Sequence, residues 1–231
     1  MAKPTLLCFD GMMGYAGPFS PLFDIKTPVD TNSMYENIRQ VDCVLLTGGE
    51  DVHPSMYGDH CLQGTSYTLS RDHLEEVISR ICIDLKKPIL GICRGAQFLC
   101  AMAGGRLVQD VTGHGRTHDI TTYDNHTLKM TSLHHQMMMP GKVKHTLLAW
   151  NSPLSAHYKC GNDLRASGEF AGDAVSESPY PGNIEPDTIY FEEIKGLGFQ
   201  GHPEMLGGSE EDEATRKWVL ETTEKFLITA Q

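Results

Sequence analysis

No apolar stretch in this 231-residue chain approaches the roughly 20 residues needed to cross a bilayer. The opening MAKPTLLCFDG has one short apolar run behind a proline. It lacks the longer apolar core and cleavage site of a secretory signal, so a soluble cytoplasmic protein is expected. No CxxC pair is present, which leaves a zinc ribbon without support. No GxGxxG follows Gly48-Gly49, so there is no dinucleotide fingerprint. Positive charge is scarce: 19 Lys and Arg face 30 Asp and Glu, for a formal net charge of −11. Such a surface repels phosphate backbones, and no nucleic-acid partner is expected. Internal repeats, low-complexity tracts and a clear linker are also lacking. One α/β domain over residues 1–231 is therefore expected.

What is present is ordinary for a globular core, with 40% hydrophobic and 21% charged residues. The seven cysteines are odd in number and scattered, several in apolar runs. They read as free thiols of a reducing compartment rather than as a disulfide framework.

The first half alternates short apolar runs with helical patterns. TLLCF, VDCVLL and PILGI read as strands, and SMYENIRQ as a short helix. In LSRDHLEEVISRICIDLKK, Leu74, Val77, Ile78, Ile81 and Leu85 recur at helical spacing, with Ser70 as N-cap and Pro88 as stop. A further helix runs from Arg94 to about Ala103, ended by Gly104-Gly105. This alternation implies a parallel sheet covered on both faces. In the second half GRLVQD, HTLKMT, TLLAW, DTIYFEE and KGLGFQ read as short strands. ASGEFAGDAVSESPYPGNIEPD, rich in Gly, Pro and Ser, reads as surface loop or hairpin. A last helix is expected from Ser209 to Ala230. Glu210, Glu211 and Asp212 crowd its first turn, and Trp218, Leu220 and Phe226 are placed toward the core.

The stretch GICRGAQ, residues 91–97, carries the chemistry. Gly-x-Cys-x-Gly after a strand and before a helix is the thiol form of a nucleophile elbow. Glycines flank the nucleophile because a Cβ there collides with a neighbouring element. The helix N-terminus beneath Cys93 favours the thiolate. A buried structural thiol is the commoner fate of cysteine, and Cys8, Cys43, Cys82 and Cys100 fit it. The elbow context of Cys93 serves no core residue. A thiolate that attacks a carbonyl needs a proton shuttle and an oxyanion site. In GLGFQGHPEM, His202 and Glu204 are one residue apart, and Pro203 is expected to hold them extended. Alone, His202 reads as a surface or capping histidine; beside Cys93 it reads as base and acid, with Glu204 fixing its tautomer. In LLTGGEDVHP, Gly48-Gly49 reads as an ordinary strand exit, or as a source of backbone N–H groups for an oxyanion together with that of Arg94.

Taken together, LLTGGEDVHPSMYG, GICRGAQ followed by GGRLVQD, and GFQGHPE resemble the class I glutamine amidotransferases, and most nearly the gamma-glutamyl hydrolase, peptidase C26-like branch. The resemblance spans about residues 41 to 205. It implies a flavodoxin-like three-layer α/β sandwich with a mostly parallel central sheet, and hydrolysis of a γ-glutamyl amide through a thioester without a cofactor. It implies Cys93, His202 and Glu204 as triad and Gly49 and Arg94 as oxyanion donors. Gln97 is placed against the glutamyl group, and Ser132, Leu133 and His134 of SLHHQ around its α-amino and α-carboxyl groups, partly through backbone. SRDHLEE, residues 70–76, also fits the branch. One departure is Gly201, where the branch has an aromatic residue before His-Pro-Glu; the pocket wall is then either more open or filled by another residue.

Other clusters carry less. His114 and His118 suggest zinc, but Gly113 and Gly115 argue against a helix aligning them and no thiol or acid completes a site, so no metal is expected. A loop near the pocket mouth is the other reading of this pair. Met137–Met139 read as a loop packed on the core, or as a docking surface. Three functions stay open: a free-standing γ-glutamyl hydrolase, a glutaminase subunit delivering ammonia to a separate synthetase, and a silent binding module of the same fold.

Overall fold

The structure is a computed structural model that describes residues 2–9, 13–28, 33–161 and 174–229. Its strands are β1 (Thr5–Cys8), β2 (Asp24–Lys26), β3 (Cys43–Leu46), β4 (Ile89–Ile92), β5 (Arg106–Val108), β6 (Asp110–Val111), β7 (Thr117–Thr122), β8 (Thr127–Thr131), β9 (Met137–Met139), β10 (His145–Asn151), β11 (Tyr158–Lys159), β12 (Ala174–Val175), β13 (Glu185–Phe191) and β14 (Gly196–Phe199). The helices are α1 (Met13–Ala16), α2 (Met34–Arg39), α3 (Leu69–Asp84), α4 (Arg94–Met102) and α5 (Glu210–Thr223), the last continued by a π-helical turn, Glu224–Thr229.

Nine strands form one mixed sheet in the order β2-β1-β3-β4-β14-β13-β10-β7-β8. From β2 to β14 every pairing is parallel. From β14 to β8 every pairing is antiparallel. The parallel half follows from its helical crossovers; in the antiparallel half β7–β8 and β13–β14 are joined by short turns, while β10 pairs with β7 and β13 across longer connections. Side chains alternate across the parallel strands. Leu7, Val44, Leu46 and Ile89 join the α2, α3 and α4 layer through Ile38, Ile78, Cys82, Ala96 and Phe98. Leu6, Cys43, Leu45, Leu90 and Ile92 meet Ala16, Phe19, Trp218, Val219 and Leu227 on the other face. That makes three layers, with the carboxyl ends of β3, β4 and β14 side by side. No helix among the described residues is long and apolar enough to cross a membrane.

Several expectations need correction. Thr68, not Ser70, is the N-cap of α3, without a side-chain capping bond. Leu74 and Val77 are 43% and 49% exposed, while Asp72 and Glu75 are buried. The helix turns a charged stripe inward because the buried Arg94 guanidinium lies against it. Met137–Met139 do pack on the core, but as strand β9 paired with β5 rather than as a loop. His118 lies in β7 rather than in a loop. Ser209 caps α5 with a full capping box, its hydroxyl accepting from the Asp212 N–H at 3.1 Å. Trp218 is buried, as expected, together with Val219 and Leu227, while Leu220 and Phe226 are only half-buried. Residues 166–173 of the expected surface loop lie outside the described residues, and Ala174–Val175 pair with β11.

Candidate active site

The turn from β4 into α4 puts Cys93 at φ 51, ψ −107. A side chain bearing a Cβ rarely adopts this backbone, and holding it costs about 1–3 kcal/mol. Two hydrogen bonds hold it: the Cys93 N–H donates to Phe199 O at 2.7 Å, and the Gln97 N–H donates to Cys93 O at 3.1 Å. The flanking glycines are steric necessities. A Cβ on Gly95 stands 2.2 Å from the Leu46 carbonyl oxygen, and one on Gly91 stands 2.6 Å from the Gly95 carbonyl. So α4 can lie directly on β3 and β4, with the thiol at the strand end and 5% exposed.

His202 follows β14, the neighbour of β4, and its N–H donates to Thr131 O at 2.7 Å. Pro203 does not keep the chain extended: it starts a 3-10 turn, Pro203–Met205. That turn folds Glu204 back, so that Oε1 stands 2.6 Å from His202 Nδ1. Burial works against a charged ring, but the Cys93 and Glu204 side chains outweigh it and raise the His202 pKa to about 10. His202 thus lies beside Cys93 with its charged form favoured. Its Nε2 is buried and has no hydrogen-bond partner of good geometry.

Gly201 is explained by Met130, whose Cγ lies 2.1 Å from the position of a Cβ there. Met130 is fully buried and leaves no room for a side chain at position 201. Tyr15 carries no signal in the sequence pattern. It is half-buried on α1, past the carboxyl end of β1, with its ring 6.3 Å from that of His202. Its hydroxyl lies 2.6 Å from where a Gly48 Cβ would stand. Position at a strand's carboxyl end is the only feature that could have found it.

Gly49 leaves β3 at φ +150, a conformation that favours glycine. Its N–H donates to no described residue. The Arg94 N–H opens α4 and so has no acceptor within its helix. The Arg94 side chain points down into the core, fully buried, where Nη2 meets Asp72 Oδ1 at 2.5 Å and Nη1 meets Glu75. Burial pushes the Asp72 carboxyl up, against the pull of Arg94.

The residues placed around the substrate divide. Gln97 is 3% exposed and its Nε2 donates to Gln136 O at 2.9 Å, which joins α4 to the 132–136 loop. Ser132 is buried, and both its N–H and its hydroxyl donate to Arg116 O at 3.3 Å. Leu133 is 53% exposed at the loop tip. The His134 ring packs on His114 at 4.2 Å, with Nδ1 2.8 Å from Gln136 O. Burial and the His114 ring hold the His134 pKa well below its usual value. Two of the three side chains in this loop thus have inward partners, and the loop reaches His202 through the adjacent Thr131 carbonyl. His114 also stands 3.1 Å from Glu185, a carboxylate that accepts from Tyr158, Asn151, Leu154 and Ser155. The Glu185 carboxylate is thus well supplied with donors, while the ring nitrogens of His114 are buried without a hydrogen-bond partner of good geometry. Among the described residues no group of three or more His, Cys, Asp or Glu is arranged to hold a metal ion.

Comparison with known proteins agrees with this architecture. A family profile for Peptidase C26 matches residues 21–204. A glutamine amidotransferase-like protein of Lactococcus lactis subsp. cremoris is 41% identical over 91 residues, 38% of this chain and 48% of that protein. The match thus spans about half the length of that relative. The gamma-glutamyl-CDP-amidate hydrolase of Campylobacter jejuni is 37% identical over 67 residues, 29% of each chain. Among solved structures, a GMP synthase subunit of Thermoplasma acidophilum superposes with a TM-score of 0.61 at 14% identity, covering 100% of this chain and 97% of that one. At that identity the likeness speaks for the fold alone, the flavodoxin-like fold of glutamine amidotransferases. With the profile covering most of its length, the chain belongs to the Peptidase C26 family of glutamine amidotransferase-like proteins.

Proposed function

We propose that the protein hydrolyses γ-glutamyl amides with Cys93 as nucleophile. The observation that carries this reading is the strained cysteine at the β4–α4 turn beside His202, whose other nitrogen is held by Glu204. The Cys93 thiolate attacks the γ-carbonyl carbon, and negative charge develops on the carbonyl oxygen. The Gly49 and Arg94 N–H groups face that oxygen. As the tetrahedral adduct collapses the C–N bond breaks, and His202 Nε2 gives its proton to the leaving nitrogen. A γ-glutamyl thioester remains. Water then loses a proton to His202 Nε2 and attacks the thioester, the C–S bond breaks, and glutamate leaves with regeneration of the Cys93 thiolate and the His202 imidazolium. Glu204 keeps Nδ1 protonated and the ring oriented throughout. Gln97, and the backbone of residues 132–134, are the groups available to the glutamyl end. The name of the Campylobacter relative, a γ-glutamyl amidate hydrolase, supports the same bond class.

The test is glutamate release from glutamine and from a panel of γ-glutamyl amines, with Cys93→Ala in parallel. Turnover of a γ-glutamyl amine that vanishes in the variant is the expected result. Turnover of glutamine alone assigns the chain to the glutaminase role beside a separate synthetase. No turnover of any substrate, with no thioester mass on Cys93, overturns the proposal.

A further inference from the structure

Residues 71, 72 and 75 lie on one stripe of α3, the Arg-Asp pair and glutamate of SRDHLEE. Each touches a segment that carries a candidate oxyanion donor. Asp72 and Glu75 hold the Arg94 side chain. Arg71 does something different: it binds backbone. Its Nη2 donates to Gly48 O at 3.0 Å, to Thr47 O at 3.3 Å and to Thr47 Oγ1 at 3.2 Å. Nη1 donates to Glu50 Oε2 at 3.0 Å, and Nε donates to Glu75 Oε1 at 2.9 Å. The guanidinium lies so close to Gly49 that a Cβ there stands 2.1 Å from Nη1.

The Gly48 carbonyl and the Gly49 N–H belong to one peptide group. In a trans peptide these two dipoles point in opposite directions. Anchoring the oxygen to Arg71 therefore turns the Gly49 N–H the other way, away from the guanidinium. The peptide sits between two glycines, where backbone rotation meets the least steric resistance. Nothing local to the sequence selects one orientation. Arg71 selects it, with a charge-assisted bond to the oxygen. A lysine is no equivalent, because one ammonium does not reproduce a fork aimed at Gly48, Thr47, Glu50 and Glu75 together.

We infer that Arg71 is a positioning residue that locks the Gly48–Gly49 peptide with its N–H directed at the oxyanion formed on attack by Cys93. The identity of that donor rests on the proposed hydrolysis. Glu75 couples the two donors, since it binds Arg71 through one oxygen and Arg94 through the other. A single carboxylate on α3 thus links the guanidinium that anchors the Gly48 carbonyl to the guanidinium of Arg94.

The test uses Arg71→Ala and Arg71→Lys in the full-length protein, with three readouts. The first is glutamate release, with kcat and KM separated. The second is the rate at which iodoacetamide alkylates Cys93, followed by peptide mass. Alkylation needs the thiolate but generates no oxyanion. The third is a crystal structure of Arg71→Ala. For Arg71→Ala we expect kcat to fall about 10²–10³-fold, the loss typical of one oxyanion donor. KM and Cys93 alkylation should stay within about threefold, as removal of one donor leaves the thiolate itself in place. Arg71→Lys should fall between wild type and Arg71→Ala, and the Gly48 carbonyl should be rotated in the crystal. An unchanged kcat overturns the inference, and so does a kcat loss matched by an equal loss of alkylation, which marks general disruption. Should wild type release no glutamate from any substrate, the proposed hydrolysis fails instead. The orientation of the Gly48–Gly49 peptide in Arg71→Ala then decides for or against the clamp by itself.

Discussion

His202 Nδ1 and Glu204 Oε1 meet at 2.6 Å across one intervening proline. This contact is made by a 3-10 turn; in an extended segment alternate side chains share a face but stand about 7 Å apart along it. The turn thus builds an imidazole–carboxylate pair from three consecutive residues, and only the nucleophile has to be brought from elsewhere in the chain.

Replacing Glu204 by Gln preserves size and removes the charge. The ring then loses the group that fixes its tautomer and balances the imidazolium. Glutamate release should fall about 10²–10⁴-fold in kcat, the range seen when a triad carboxylate is neutralised. KM should change little. Steady-state kinetics on the best γ-glutamyl amine checks this, and a loss under tenfold removes Glu204 from the mechanism.

The pH dependence follows from the same pair. The pKa of His202 is raised from 6.5 to about 10 in the folded protein. Protonation of the leaving amine needs the imidazolium, so kcat/KM should hold through neutral pH and decline as pH passes about 10. In Glu204→Gln that alkaline limb should move to lower pH. Stability has the matching sign. A raised pKa stabilises the fold fully below the unfolded value of 6.5, and the contribution is lost as pH climbs to about 10. Urea midpoints of wild type and Glu204→Gln should therefore differ most in mildly acidic solution and converge in strongly alkaline solution.

The elbow predicts an unusual order among cysteine replacements. At φ 51, alanine keeps the backbone strain and glycine releases it. Cys93→Gly should be more stable than Cys93→Ala by about 1–3 kcal/mol, the cost of a strained backbone position, although both are inactive. Gly95→Ala should do the opposite. Its new Cβ meets the Leu46 carbonyl oxygen, a backbone atom that cannot rotate aside. A loss of about 1–3 kcal/mol or more is expected from such overpacking. Chemical denaturation of the three variants reads both effects.

How far the sequence led depended on the range of each constraint. The elbow is legible because Gly91, Cys93 and Gly95 lie within five consecutive residues and serve one turn. The His202–Glu204 pair is legible for the same reason, although Pro203 shapes a 3-10 turn there and not the extended segment expected of it. The inward face of α3 is legible only in part: Ile78 is buried and Ile81 and Leu85 pack on the core as the apolar spacing suggests, but Leu74 and Val77 are exposed. The buried face there is Asp72, Glu75 and Ile78, chosen by the charge of Arg94 from another helix. Tyr15 and Arg71 are not legible in their roles either. Their contacts, to His202 and to the Thr47–Gly48 backbone, exist only once the sheet has brought distant segments together.

Gly201 offers a test of the pocket wall that is independent of the chemistry. The resemblance implies an aromatic residue here, and Met130 lies against the position of a Gly201 Cβ. Gly201→Phe alone should destabilise the protein by about 1–3 kcal/mol, because its side chain collides with a fully buried neighbour. Met130→Ala alone should cost about 2–5 kcal/mol through the cavity it opens. If the two side chains compete for one volume, the double variant should be clearly more stable than the sum of the single losses allows. A coupling of about 0.5–3 kcal/mol from urea denaturation of the four proteins is the expected outcome for residues in contact. Additive losses would mean that the aromatic ring enters a different space and that Met130 does not form the wall. Because Thr131, next to Met130, accepts from the His202 N–H, the same exchange should also shift KM for bulky leaving amines more than for glutamine.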